Sequence, residues 1–232
     1  VELATITTIV YDFDGTLATC PYDFAHMRRV VLDTAAEFGI PAEHLQEAGL
    51  LETIEAGGVY LAADEVKSAA FRKLAMLRLC ELEYEAAGVT ELLPGVVEMQ
   101  QLLRDNGYRL GIVTRNSYPA VKRIIGDAPL AFDALLCRDH VEYPKPDPAH
   151  VIQMLQLLGS TADEALMVGD HPMDIAMGKA AHMRTVAVLT GQSNAAELTQ
   201  EEPDYLLPSV IELARLLLNS TMLPHNACGL LR

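Results

Sequence analysis

The sequence predicts a doubly wound (Rossmann-like) α/β fold with an inserted α-helical cap, and three observations carry that expectation. From residue 94 onward, short β-branched apolar runs alternate with helical patterns. Such alternation builds a parallel sheet covered by helices on both faces. The first run, Thr5 to Asp12, ends in a turn at Gly15, as a buried strand feeding a loop does. Between these parts, residues 18–92 show helical periodicity and no strand.

The elements follow in order. Tyr22–Phe38, Ala42–Ala56 and Ala62–Ala87 read as helices, with Gly39-Ile40-Pro41, Gly57-Gly58 and Gly88 as their stops. Pro94 opens a helix that Gly107 closes, and Tyr108–Thr114 forms the second strand. Shorter strands are expected at Ala134–Cys137, Ala165–Val168, Thr185–Leu189 and Tyr205–Leu207. Helices are expected at 117–126, 147–158, 172–181 and 209–218. The division is therefore a core domain of residues 1–17 and 93–218, a cap domain of 18–92, and a C-terminal tail of 219–232.

Composition narrows the partners. The net charge is −15, from 32 acidic and 17 basic residues. That field repels phosphate backbones, which argues against nucleic acid. It also opposes small anionic substrates, so a site for one must concentrate positive charge locally. No apolar run reaches the ~18–20 residues that cross a bilayer, and no charged-then-apolar signal segment opens the chain. The expectation is a soluble cytoplasmic protein without a membrane partner. Oligomeric state is not legible. The four cysteines, Cys20, Cys80, Cys137 and Cys228, have no CxxC spacing, which speaks against a zinc site or a disulfide framework.

Four sets of residues carry chemistry. Asp12 and Asp14 lie in Asp12-Phe13-Asp14-Gly15-Thr16, and a spacing of two in extended chain points both carboxylates to one side. Carboxylates held together raise one another's pKa unless a cation intervenes, which suggests a hard metal such as Mg²⁺. The same residues also serve as ordinary turn formers. Thr114 ends the second strand, where a hydroxyl followed by backbone N–H groups cradles phosphate; by itself it equally reads as a helix cap. Lys145 sits in Pro144-Lys145-Pro146-Asp147-Pro148, a stiff loop that holds an ammonium in place. Asp170 and Asp174 occupy Gly169-Asp170-His171-Pro172-Met173-Asp174 at a helix start, on one helical face. The helix N-terminus offsets part of their repulsion, and a nearby divalent metal would explain both acids. His171 beside them reads as a neighbour of the site rather than a ligand. All of these lie at the carboxyl ends of expected parallel strands, where open α/β sheets bind ligands.

Read together, DxDGT, Thr, Lys and GDxxxD resemble the haloacid-dehalogenase-like hydrolase superfamily, over the chain to about residue 215. Spacing and composition look most like its phosphoglycolate-phosphatase-type branch with a helical cap. The resemblance implies an Mg²⁺-dependent phosphatase acting on a small phosphorylated metabolite. Asp12 would be the nucleophile that forms an aspartyl-phosphate, and Asp14 the acid and base. Thr114 and Lys145 would hold the phosphoryl oxygens, and Arg115 would add charge beside them. Asp12, the backbone carbonyl of Asp14 and Asp170 would bind the metal, with Asp174 steadying the site. Ala18-Thr19-Cys20 and Arg115-Asn116 depart from the branch's usual stretches.

Two other functions use related parts. A sugar phosphomutase of the same superfamily passes phosphate to a second hydroxyl, but no sugar-binding signature is visible in the cap. A receiver-like signalling module also uses strand-end acids, a Thr and a Lys. It leaves Asp14, the late GDxxxD and the helical insertion without a role. In the cap, Arg28 and Lys67 are expected either as solvated charges or as groups that attract an anionic substrate.

Overall fold

Among the described residues, six strands lie at β1 (Thr8–Tyr11), β2 (Arg109–Val113), β3 (Ala134–Leu136), β4 (Ala165–Gly169), β5 (Arg184–Val188) and β6 (Tyr205–Leu207). They form one parallel sheet in the order β3-β2-β1-β4-β5-β6. This computed structural model describes residues 3–46 and 49–222. The direction of winding reverses at β1, whose Thr8 pairs with Arg109 on β2 and with Ala165 on β4. A crevice outside the strand ends belongs at such a switch point.

Alternation along each strand builds two cores. Ile9 and Tyr11 of β1 face one side with Leu110, Ile112, Leu166 and Val168. There they meet Val96, Met99 and Leu103 of helix α4 (Val96–Asp105) and, from the chain end, Leu213 and Leu217. Val10 faces the other side with Val113 and Met167, against Val151, Met154 and Leu158 of the helix Pro148–Leu158. Burial on both faces explains why these strands read as unbroken apolar runs. Each fully buried aliphatic side chain contributes about 1.5–3 kcal/mol.

A separate unit spans Pro21–Val89, while the chain through Cys20 and from Thr90 onward makes the α/β unit. The helical unit contains α1 (Phe24–Glu37), α2 (Leu50–Tyr60) and α3 (Glu65–Ala86) around Met27, Val31, Ile54, Phe71, Ala75 and Leu79. Asp23 and Asp64 cap α1 and α3 by accepting from His26 and Lys67 backbone N–H groups at 2.8 and 3.0 Å. The expected helix Ala42–Ala56 is replaced by a single 3₁₀ turn, Ala42–His44, and then by α2. Gly57 and Gly58, expected as a helix stop, lie inside α2. Gly57 is there because α3 packs close: a Cβ would fall 2.5 Å from the Phe71 ring. Arg28 donates to Leu45 O at 3.1 Å and Thr53 Oγ1 at 3.3 Å inside this unit, so it has a structural task of its own.

The remaining helices are α5 (Tyr118–Ile125), α6 (Pro148–Leu158), α7 (Pro172–Ala180), α8 (Ala195–Gln200) and α9 (Glu212–Met222). Helix α8 was not expected; its capping box, Asn194 with Glu197, is a local signal that would have found it. Helix α9 carries the chain into the expected tail as far as Met222. Cys228 and the rest of that tail lie outside the described residues. No described helix is long and apolar enough to cross a membrane.

Candidate active site

Asp12 follows β1 directly, and its N–H donates to Val168 O at 2.8 Å, which anchors it beside the end of β4. Its buried carboxylate accepts from Lys145 Nζ. The same ammonium donates to Asp174 Oδ1 at 2.8 Å. Asp12, Asp170 and Asp174 each place a carboxylate oxygen within 4.8 Å of the others, and all three are buried. The sequence thus brings together strand ends far apart in the chain, and the partners explain the burial.

Gly15 makes this convergence possible. It takes φ +84°, and a Cβ there would fall 2.5 Å from Asp170 Oδ2. Thr16 Oγ1 donates to Asp170 Oδ1 at 3.0 Å, and Thr190 Oγ1 donates to Gly15 O at 2.7 Å. At the start of α7, the His171 side chain caps Met173 N–H at 3.2 Å, while His171 N–H donates to Asp174 Oδ2 at 3.2 Å. Asp174 is therefore held from both ends, by a backbone donor and by Lys145.

The electrostatics follow from burial. For Lys145, burial opposes the charge most strongly, but Asp12 and Asp174 together outweigh it and hold its pKa above the usual lysine value. Burial, reinforced by the Asp12 and Asp174 charges, pushes Asp170 up to about 9. Burial raises Asp174 to about 6, with Lys145 pulling in the opposite direction. Among the described residues of the cluster, three carboxylates face one ammonium, so the donor set suits a further hard cation.

Asp14 is oriented differently. Its side chain is not one of the three clustered carboxylates; it accepts from Thr114 Oγ1 at 3.1 Å and from Asn116 Nδ2 at 3.0 Å. The expected Asp12–Asp14 pairing of side chains thus gives way to a pairing of Asp12 with Asp170 and Asp174. Thr114 lies at the end of β2, its N–H donating to Leu136 O at 3.0 Å. Arg115 Nη1 rests 3.7 Å from Met173 Sδ, and the Arg115 carbonyl accepts from Arg138 Nη1 at 2.6 Å.

Four contributors were not singled out from the sequence. Asn116 clamps Asp14, and Thr190 and Gly191 line the Asp12–Thr16 loop and Asp170. His150 is fully buried behind the lysine loop: its Nδ1 accepts from Lys145 N–H at 3.1 Å, and its Nε2 lies 3.1 Å from Leu136 O. That pattern places the proton on Nε2. Burial, aided by the Lys145 charge, pulls His150 down to about 4. Only its position on the apolar face of α6 signalled a role, and that position equally suits a core histidine.

Comparison with known proteins gives this geometry a setting. The chain is 29% identical over 233 residues to "Probable phosphatase IndB" of Dickeya dadantii, covering 95% of this chain and 98% of that one. It is 29% identical over 210 residues to the pyrophosphatase PpaX of Listeria monocytogenes, covering 90% and 94%. A crystal structure of a hydrolase from Pseudomonas syringae superposes with a TM-score of 0.69 at 19% identity, over 92% of this chain and 98% of the other. A family model for haloacid dehalogenase-like hydrolases matches residues 9–188, a span that takes in every residue of the cluster, and the chain belongs to that family of enzymes.

Proposed function

We propose that the chain is an Mg²⁺-dependent phosphatase that hydrolyses a small, phosphoglycolate-like phosphate monoester through an aspartyl-phosphate on Asp12. The observation that carries this reading is the division of labour between the two acids of one loop. Asp12 is paired with Lys145 at the strand end, while Asp14 stands apart on hydroxyl and amide donors. The attacking carboxylate would sit against the ammonium, whereas an acid and base needs a separate environment. IndB, a relative that spans nearly the whole chain, bears a phosphatase name, and PpaX, named a pyrophosphatase, puts inorganic pyrophosphate on the panel of substrates to test.

In the first step an Asp12 carboxylate oxygen attacks phosphorus, the ester P–O bond breaks, and Asp14 gives its proton to the departing oxygen. In the second, water attacks phosphorus, Asp14 takes the water's proton, and the bond to Asp12 breaks to release phosphate. Thr114 and Lys145 would donate to the phosphoryl oxygens, with Arg115 adding positive charge on the same loop. Asp12, Asp170 and the Asp14 carbonyl would hold Mg²⁺, which supplies charge neutralisation for an incoming phosphoryl dianion. Asp174 would keep Lys145 in place. The helical unit at 21–89 would act as the cap that selects the substrate, and the enzyme would work in the cytoplasm.

Asp12→Asn tests this. The variant keeps the side chain's shape but lacks the nucleophilic charge, so phosphate release should fall by at least about a thousandfold and no phosphoenzyme should form. Hydrolysis near the normal rate would reject the covalent route.

A further inference from the structure

We propose that Asn116 is a positioning residue that holds Asp14 in its acid–base pose once substrate has claimed the Thr114 hydroxyl; this rests on the acid–base reading of Asp14. Thr114 has one hydroxyl proton, and it is directed at Asp14 Oδ2 at 3.1 Å. If that hydroxyl turns to a phosphoryl oxygen, as the proposed function requires, Asp14 loses that donor. Asn116 Nδ2, 3.0 Å from Oδ1, does not depend on the phosphoryl group and stays in place.

The amide orientation is fixed by its own network. Asn116 Oδ1 accepts from Ser117 N–H at 2.8 Å, so Oδ1 faces the backbone and Nδ2 must face Asp14. The Asn116 N–H in turn donates to Thr114 Oγ1 at 3.0 Å, using an acceptor position that leaves the hydroxyl proton free to swing. Asn116 is buried, and its carbonyl accepts from Arg138 N–H at 3.2 Å, which pins the backbone as well. A rigid amide therefore grips Oδ1 and leaves Oδ2 to carry the proton toward the leaving oxygen. Asp12 instead meets Lys145 and Asp170. The role of Asn116 falls on proton transfer, and its signature is dependence on the leaving group.

The test uses the full chain with Mg²⁺ and a series of aryl phosphates from p-nitrophenyl to phenyl phosphate. Phenol, like the tyrosine side chain, holds its proton to about pH 10 and needs an acid to leave, whereas nitrophenolate does not. For Asn116→Ala, kcat/KM should fall about threefold with p-nitrophenyl phosphate and about 30-fold with phenyl phosphate. Asn116→Asp, which keeps the shape but sets a carboxylate against Asp14, should steepen the dependence further. Asn116→Ser, which retains a short donor, should recover part of the loss and serves if the alanine variant folds poorly. An equal fall with every ester in all three variants would overturn the proposal and make Asn116 a general support of the loop. Asp14→Asn in the same series separates the two ideas. If it too responds equally to all esters, the acid–base reading fails and the role of Asn116 with it. If only the Asn116 variants are flat, the role of Asn116 alone is wrong.

Discussion

In the α/β unit, Asp12, Lys145, Asp170 and Asp174 are all buried and meet one another across strand ends up to 162 positions apart in sequence. In the helical unit, the ion pairs Arg72–Glu55 and Arg78–Glu37 lie at the surface, with both partners part-exposed. The first arrangement has little to offset its desolvation except its own geometry; the second gives up little solvation and gains little. A buried cluster that is costly to maintain fits the catalytic role proposed above. Pairs of the second kind only trim the surface of a helical packing whose core is Phe71 and its neighbours.

The largest expected effect breaks the buried cluster. Lys145→Met removes the ammonium between Asp12 and Asp174 while roughly keeping the length of the side chain. Two buried carboxylates then lose their common partner, and losing one member of such a pair costs about 3–5 kcal/mol. Urea unfolding should show that loss, and phosphate release should vanish with it. Stability near that of the parent chain would mean that the pair is solvated, and the contrast with the surface pairs would collapse.

The next effect comes from His150, which supports the lysine loop from behind. Its folded-state pKa, about 4, lies below the usual value near 6.5, so the unfolded chain binds more protons between those values. Stability from this group is therefore complete above pH 6.5 and lost as pH falls toward 4, by at most about 3 kcal/mol. The raised carboxyls of Asp170 and Asp174 act with the opposite sign as pH falls, so the comparison is between the parent chain and His150→Asn. The variant should lose less stability between pH 7 and pH 4.5 than the parent does. Parallel pH curves would remove His150 from the account.

What the sequence made legible depended on how far each residue's partners lie. Ile9-Val10-Tyr11 and Leu166-Met167-Val168 read as strands because a sheet buried on both faces writes its pattern locally. Asp12, Asp170 and Asp174 were legible as candidates because each follows a strand or stands in the first turn of a helix, and Lys145 because prolines flank it in its loop; the structure brings the four together. The Asp12–Asp14 pairing was misread because the strand stops at Tyr11, so alternation no longer governs where Asp14 points. Asn116 and Thr190 are not legible locally because their partners, Asp14 and Gly15, lie 102 and 175 positions away, and Gly191 because its close approach to Asp170 appears only in the fold. Gly57 shows the same limit in the helical unit. A local reading makes it a helix stop, whereas the close approach of Phe71 makes it a packing site.

A smaller effect sharpens the contrast through two glycines. A Cβ at Gly191 would overlap the Asp170 carboxylate, while one at Gly57 would meet Phe71. If Asp170 holds Mg²⁺ as proposed, Gly191→Ala should disturb it and raise the Mg²⁺ needed for half-maximal activity about tenfold, or about 1.4 kcal/mol. The rise in melting temperature on adding Mg²⁺ should shrink in parallel. Gly57→Ala should lower the melting temperature without moving the Mg²⁺ requirement. If both variants change Mg²⁺ dependence alike, Asp170 is not specifically involved.

The smallest effect is expected at the surface of the helical unit. Arg72 donates to Glu55 through two nitrogens, at 3.0 and 2.7 Å, yet 64% of the Glu55 side chain remains exposed. Geometry this good still yields only about 0.5 kcal/mol of coupling when water and salt screen the charges. Arg72→Ala alone will overstate the pair, because the same guanidinium also donates to the buried Ser68 hydroxyl. A double-mutant cycle of Arg72→Ala with Glu55→Gln removes that contribution and isolates the coupling. Hydrogen bonding to Arg72 lowers the Glu55 pKa, so the coupling is present above the ordinary glutamate value and lost as pH falls through the lowered one. It should also fade as salt rises from 0.1 to 1 M, where the Debye length drops from about 10 Å to about 3 Å. A coupling of several kcal/mol that survives 1 M salt would place this pair with Lys145 and Asp12, and the helical unit would then hold a buried charge of its own.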